Sequence, residues 1–442
     1  MRARLLKLIY DLRASYWFVP SIMALLAIVL GAIMISLDAS ATAPLLDRLG
    51  WYQKAKPDGA REMLSTIAGS MITVAGVVFS ITIVAIAYAS SQYGPRILTN
   101  FMSDRGNQVT LGTFIATFVY CLVVLRTIRS GDEGVFVPQV AVMVGLLLAL
   151  SSIAVLIYFI HHVPHSIHIN NVAAEIGKQL LQSVDRRFPA HIGDAPANDR
   201  AMGREQPGER AVAKGKGVAI IGSPANGYIE AVDDETLIQQ ARASDLVIQL
   251  HHRSGDFVFA GQPLISAWPE DNVKDETKEA LERSYSIGNN RTPSQDLFFL
   301  VDELVEIAAR ALSTGVNDPY TAVTCLDWLS AAAADLGRRC IPSARRFDQD
   351  GVVRVVAQAD SFAGFIERGF GRMRQYVARD MTAASHAFDS LAAIGAQCER
   401  LEVQEALRTE AAKLLLLAEQ KLQGPSLEQV RDHYRKTAEI LA

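Results

Sequence analysis

From Met63 to Pro95 the chain carries no Asp, Glu, Lys, Arg or His. A water-soluble helix must turn a polar face to solvent, and about 20 apolar residues suffice to cross a hydrocarbon core of about 30 Å. This run is longer than that, so as a helix part of it must leave the membrane. Three more apolar stretches share the N-terminal region: Trp17 to Leu37, about Gln108 to Leu125, and about Val135 to Ile160. Half of the residues are hydrophobic and 20% are charged, a bias that argues against a wholly cytosolic enzyme.

Four spans place both termini on one side. The first span opens with Tyr16 and Trp17 at belt height and follows Arg2, Arg4, Lys7 and Arg13. Ala39-Ser40-Ala41 mimics a signal cleavage site, but the apolar run before it exceeds the 7 to about 15 residues of a secretory signal. Positive charge sets the orientation only weakly. Arg2, Arg4, Lys7, Arg13, Arg96 and Arg105 on one side are balanced by Arg48, Lys54, Lys56, Arg61, Arg126 and Arg129 on the other. Cys121, Cys325, Cys340 and Cys398 form no CxxC pair and read as buried free thiols of a reducing compartment. Together with a large C-terminal part that lacks a leader, this favours both termini in the cytoplasm. Up to residue 165 there are 12 basic and 8 acidic residues, and thereafter 31 and 39. The acidic remainder suits a body standing in solvent, and a net charge of −4 gives nucleic acid no basic surface to bind.

In the second span Thr66, Gly69, Ser70, Thr73, Gly76 and Ser80 recur at three- and four-residue steps and share one helix face. Such small residues let helices approach closely. Repeated around a ring of subunits, they would line a water-filled or dewetting-gated pore. The two readings are compatible. No charged residue sits mid-span, as a proton-coupled pump or voltage sensor would require. At the end of the fourth span, His161, His165 and His168 align if the helix continues, with His162 between them, and could bind a metal or titrate near neutral pH. Pro164 is expected to kink or end the helix there, and no carboxylate is near in sequence to orient the imidazoles, so interfacial histidines are the plainer account.

The remaining chain reads as a mixed α+β region. Ile169, Val172, Ile176, Leu180, Val184 and Phe188 mark an amphipathic connecting helix, and Pro189 to Gly217 reads as a linker. A small β-rich module follows over 218–270, then a mainly helical bundle over 271–442, against 1–165 for the transmembrane domain and 166–217 for the connection. Gly255 to Leu264 resembles the barrel-sandwich strand pattern of lipoyl and biotinyl carriers, yet no lysine stands in the exposed turn, so only a β scaffold is implied. Thr292, Pro293 and Gln295 read as a capping box for a helix ending at Gly315. Asp318 then caps a helix from Tyr320 to Leu336, and Val352 to Ala357 reads as a strand. Asp302 and Glu306, four residues apart, could hold a divalent cation, though a solvated face relieved by Arg310 is the ordinary reading. Asn317 and Asp318 offer ligand oxygens that turn and cap formation also explain. Arg368, Arg372 and Arg374 form a basic spot that reads as a surface face.

Met63 to Gly76 continuing to Ser90-Ser91-Gln92-Tyr93-Gly94-Pro95-Arg96, Gly112-Thr113-Phe114 through Val119-Tyr120-Cys121, and Glu306 to Ser313 with Asn317-Asp318-Pro319 resemble a bacterial family of predicted membrane proteins, domain of unknown function 2254. Thr314 departs from the proline more usual there. The resemblance implies an integral membrane protein and assigns no functional residue. No nucleophile elbow, P-loop, HExxH or dinucleotide fingerprint occurs, so neither an enzyme nor a cofactor is expected. The sequence expectation is a homo-oligomeric channel-like protein in the lipid bilayer, with the C-terminal part sensing an ion or small ligand. A non-conducting, membrane-anchored regulator is the alternative, and a membrane enzyme the third.

Overall fold

The computed structural model describes residues 15–39, 56–94, 104–130, 135–188, 217–358 and 360–442. The linker expected over 189–216, the basic N-terminal residues and Arg96 lie outside the described residues. The chain divides into two compact units, residues 10–171 and a second one containing 172–442.

The first unit holds four long helices: α1 (Phe18–Ala39), α2 (Pro57–Tyr93), α3 (Arg105–Leu125) and α4 (Gln139–Ile167). All four are long and apolar enough to cross a membrane. The uncharged run forms one unbroken helix of 37 residues, about 55 Å at 1.5 Å per residue, so α2 outreaches a hydrocarbon core. Pro57 starts it, since a missing N–H costs nothing in the first turn.

α3 is the helix around which the others pack. Leu64, Ala68, Tyr120, Cys121 and Val124 form one buried layer, and Met71, Val78, Phe114, Phe159 and Val163 a second. Close approach of α1 to α3 depends on Gly112, where a Cβ would lie 2.5 Å from Met23 Sδ. Two polar pairs are matched inside the bundle: Thr117 and Ser152 hydroxyls are 3.1 Å apart, and Tyr120 donates to the Ala141 carbonyl at 2.9 Å. Pro138 precedes α4 and has no capping side chain. Asp38 supplies the cap from α1, accepting from the Val140 and Ala141 amides at 3.1 and 3.0 Å. Leu25, Val84, Ile157 and Ile160 are each more than 60% exposed, the inverse of a water-soluble surface and the pattern lipid requires.

In the second unit the expected amphipathic helix is α5 (Ile169–Arg187). Two sheets follow. Strands β1 (Ala219–Gly222), β3 (Val247–Leu250), β5 (Pro263–Trp268), β7 (Arg345–Phe347) and β8 (Val353–Val356) form one, in the order β1-β5-β3-β8-β7. β2 (Gly227–Val232), β4 (Phe257–Val258) and β6 (Tyr285–Gly288) form the other, in the order β4-β2-β6. The sheets thus draw in β6, β7 and β8 from beyond residue 270. The strand expected near Val352 is β8, which pairs in parallel with β3 while the other neighbours are antiparallel. Helices α6 (Asp234–Ala243) and α7 (Asp275–Glu282) contribute Leu237, Ala241 and Leu281 to the core that Ile229, Ile248, Val258 and Ile265 build from the strands.

The helical part comprises α8 (Leu297–Ala311), α9 (Pro319–Arg338), α10 (Phe362–Ile366), a π-helical turn at Glu367–Gly371, α11 (Arg372–Val377), α12 (Met381–Gly395), α13 (Leu401–Lys421) and α14 (Gly424–Ile440). The capping box expected at Thr292 does not form. Asp296 is the N-cap of α8 and accepts from the Phe299 amide at 3.2 Å. Gln295 instead reaches back to β2, accepting from the Val232 amide at 2.8 Å and donating to its carbonyl at 3.1 Å. A strand end thereby gains a side-chain partner that local sequence cannot reveal. α8 ends at Ala311 and not at Gly315, because the Asp318 amide returns to the Ala311 carbonyl at 2.8 Å and Asn317, with φ 50°, takes the left-handed residue of the turn. Asp318 caps α9 as expected, accepting from the Thr321 amide at 3.2 Å. Of the cysteines, Cys121, Cys325 and Cys398 are buried free thiols, whereas Cys340 is exposed.

α5 lies so close to Trp328 of α9 that a Cβ on Gly177 would fall 2.3 Å from the indole ring. Gly177→Ala therefore forces the ring to move, and we expect a loss of about 1–3 kcal/mol in stability, read as a lowered unfolding midpoint of the detergent-solubilised protein.

Candidate functional site

Along α2, Thr66, Gly69, Ser70, Thr73, Gly76 and Ser80 are all exposed, while Leu64, Ala68, Met71, Ala75 and Val78 turn into the bundle. Ser70, Thr73 and Ser80 each donate to the carbonyl four residues back, at 2.8, 2.8 and 2.9 Å. Their protons are engaged within the helix, and the oxygen lone pairs face outward. A Cβ on Gly69 or Gly76 would meet nothing within 4 Å. Among the described residues, the stripe thus packs on none of the other three long helices.

The histidines separate. Pro164 does not end α4, which continues to Ile167. His161 and His165 stack with ring centroids 6.4 Å apart, His165 lies 3.2 Å from the Asn171 amide, and His168 ends the helix. The imidazole that meets a carboxylate is His162: Nε2 is 3.0 Å from Asp104, and Nδ1 is 3.1 Å from the Tyr158 hydroxyl. Asp104 also caps α3, accepting from the Asn107 amide at 2.8 Å. The carboxylate missing from the local sequence is therefore supplied across the bundle. Among the described residues, no group of three His, Cys, Asp or Glu side chains could hold a metal ion.

In the second unit, the expected solvated face on α8 is instead part of the core: Asp296, Asp302 and Glu303 are all buried. Asp302 receives three guanidinium groups. Arg291 reaches one oxygen at 2.6 Å, Arg368 donates to both at 2.8 and 2.6 Å, and Arg372 donates at 2.9 Å. The π-helical turn at Glu367–Gly371 widens the helix between α10 and α11 where Arg368 and Arg372 are presented. Arg374, the third of the expected surface arginines, pairs with the buried Glu410 and with Glu367. The basic spot is thus largely spent on buried carboxylates. Glu306 pairs with Arg310 at 3.4 Å, and Asp302 is ringed by positive charge, so the two do not converge on a divalent cation. Asn317 and Asp318 are occupied in the turn and the α9 cap.

Desolvation pulls the Asp302 carboxyl up, but the hydrogen bonds from Arg368 and Arg291 outweigh it and hold the group below the ordinary carboxylate range. Such a group contributes stability that is complete above the unfolded-state value of about 3.9 and is lost as pH falls through the lower folded value. Asp302→Asn removes the carboxylate that Arg368 and Arg372 pair with and leaves Arg291 only Asp296, for an expected cost of about 3–5 kcal/mol. Thermal unfolding measured between neutral and acid pH should show a lower midpoint in the variant, and the gap to wild type should narrow in the most acid buffers.

A cavity of about 520 Å³ opens in the same unit, bounded by the end of α5, the start of α6, the loop after β3, the turn before α8 and the segment after β8. Arg186, Arg187, Arg253 and Arg346 line it, against Asp234 and Asp360. Sequence reading missed it because these residues are scattered over 160 positions. The Arg186-Arg187 pair at the end of an amphipathic helix was the one local signal.

The fold is thus that of a polytopic membrane protein with a mixed helical and sheet C-terminal region. The family of predicted membrane proteins known as domain of unknown function 2254 matches residues 13–393, and the chain belongs to it. An uncharacterized protein of Mycobacterium bovis and two of Mycobacterium tuberculosis are each 33% identical to it over 421 residues, covering 94% of this chain and 78% of the relative. No solved structure matches.

Proposed function

We propose that this chain is a homo-oligomeric, channel-like protein of the bacterial inner membrane, with its termini and C-terminal unit in the cytoplasm, where that unit gates or senses, and with no enzymatic step. The observation that carries the reading is the uncovered α2 face. Among the described residues its glycines meet no other helix and its hydroxyls are exposed, while the opposite face is buried. A face of this kind is covered either by a second copy or by water in a shared pathway. The absence of a charged residue mid-span favours passive conduction over a proton-coupled cycle.

Purified protein in liposomes should pass ions, and Gly69→Leu or Thr73→Leu should abolish that flux without preventing insertion. Absence of flux from correctly inserted wild type, across varied pH, metal and voltage, sinks the reading. A disulfide forming between copies at Gly76→Cys, in a background without the native cysteines, would place the same face at a subunit contact.

For the orientation, Asp58→Cys and Leu416→Cys are at exposed positions separated in sequence by three apolar spans, α2 to α4. An impermeant thiol reagent added to spheroplasts should modify the first and spare the second. The reverse pattern overturns the cytoplasmic placement.

A second reading, a non-conducting membrane-anchored regulator, is favoured by the cavity in the C-terminal unit. It predicts that function persists when the α2 face is made bulky.

A further inference from the structure

We propose that the cavity of the C-terminal unit is a binding site for an organic phosphate, with the phosphate on its arginines and an apolar or planar body against its floor. The proposal names the ligand class for the cavity on which the second reading rests, and it holds whether or not α2 conducts.

Its volume of about 520 Å³ falls within the range of about 300–1,000 Å³ typical of small-molecule sites. Four arginines against two aspartates leave a surplus of positive charge, in a chain whose net charge is −4. That surplus suits a phosphate monoester, which carries about two negative charges at neutral pH. Two of the arginines are held in place. Asp360, only 10% exposed, accepts from Arg187 at 2.9 Å and from Arg253 at 3.0 Å. Arg187 also donates to the Gln295 carbonyl at 2.9 Å, and Arg253 lies over the Phe298 ring at 4.7 Å. One carboxylate thus orients two guanidinium groups, each of which has five N–H donors, so donors remain for a bound anion.

The other two arginines have no carboxylate partner among the described residues. Arg186 donates to the Gln182 carbonyl, and Arg346 to the Ser343 and Arg345 carbonyls. Backbone contacts fix these side chains without cancelling their charge. Between the basic positions, the wall carries apolar surface at the partly exposed Ile238 and Leu250, over the buried Leu237, Leu297 and Val355, with Ser254, Ser294 and Gln295 beside it. A free phosphate ion would leave that wall in water, whereas an organic phosphate covers it.

The test is calorimetric titration of the full-length protein in a non-ionic detergent with phenyl phosphate, inorganic phosphate, phenol and a short-chain phosphatidic acid. Phenyl phosphate or the phosphatidic acid should bind, inorganic phosphate should bind at least about tenfold more weakly, and phenol should not bind measurably. Tighter binding of the phosphatidic acid assigns a lipid headgroup, tighter binding of phenyl phosphate a soluble ester, and either supports the site. Arg186→Ala and Arg346→Ala leave the Asp360 pairs intact, and each should weaken binding about tenfold with the unfolding midpoint unchanged. Phenol binding as tightly as phenyl phosphate would overturn the anion assignment while leaving a ligand-binding regulator standing. Binding unaffected by both arginine variants, or no binding of either organic phosphate, overturns the site.

Discussion

Hydrocarbon supplies no hydrogen-bond partners, and the N-terminal unit is organised around that fact. Each of its four helices satisfies its own backbone, and buried polar side chains such as Tyr120 and Thr117 find partners inside the bundle, in the Ala141 carbonyl and Ser152. Charged side chains gather near the helix ends, where they do structural work. Asp38 closes the open amides of α4, Asp104 closes those of α3 while meeting His162, and Arg61 donates to the Ile128 carbonyl and the Ser130 hydroxyl. On the exposed α2 stripe the same constraint is met locally, since Ser70, Thr73 and Ser80 donate to carbonyls of their own helix.

The C-terminal unit meets a different problem, that of placing charge inside a protein core. Asp302 gathers Arg291, Arg368 and Arg372, and Arg291 continues to Asp296 at the start of α8. Phe298 has Arg253 at 4.7 Å and Arg368 at 5.4 Å from its ring centroid, joining this buried network to the arginine-lined cavity. Removing one member of such a network leaves the others uncompensated, which makes the cluster a determinant of how α8, α10 and α11 fit together. On the cavity side, Arg253 is held in turn by Asp360.

Much of the local structure was legible in the linear chain. Spans of about 20 apolar residues announce themselves by length, Asp318-Pro319 announces the start of α9, and the spacing from Ile169 to Phe188 announces α5. The readings that changed share one cause. Thr292 and Gln295 fit a capping box, but Gln295 is recruited by β2. Asp302 fits a solvated face until arginines from elsewhere in the chain cover it, while Glu306 keeps its expected partner Arg310. In each case a residue with a plausible neighbour in sequence found a stronger one in space.

Sequence alone determined that the first third of this chain is apolar enough to span a membrane in four helices and that a mixed helical and sheet region follows, because hydrophobic length and periodicity act over a few turns. Only the tertiary structure decided that the α2 stripe faces away from its own bundle, that Asp302 is an ionic hub, and that four arginines scattered along the chain meet around one cavity. Those outcomes depend on pairs of residues far apart in sequence, and neither partner's local pattern contains the distance between them.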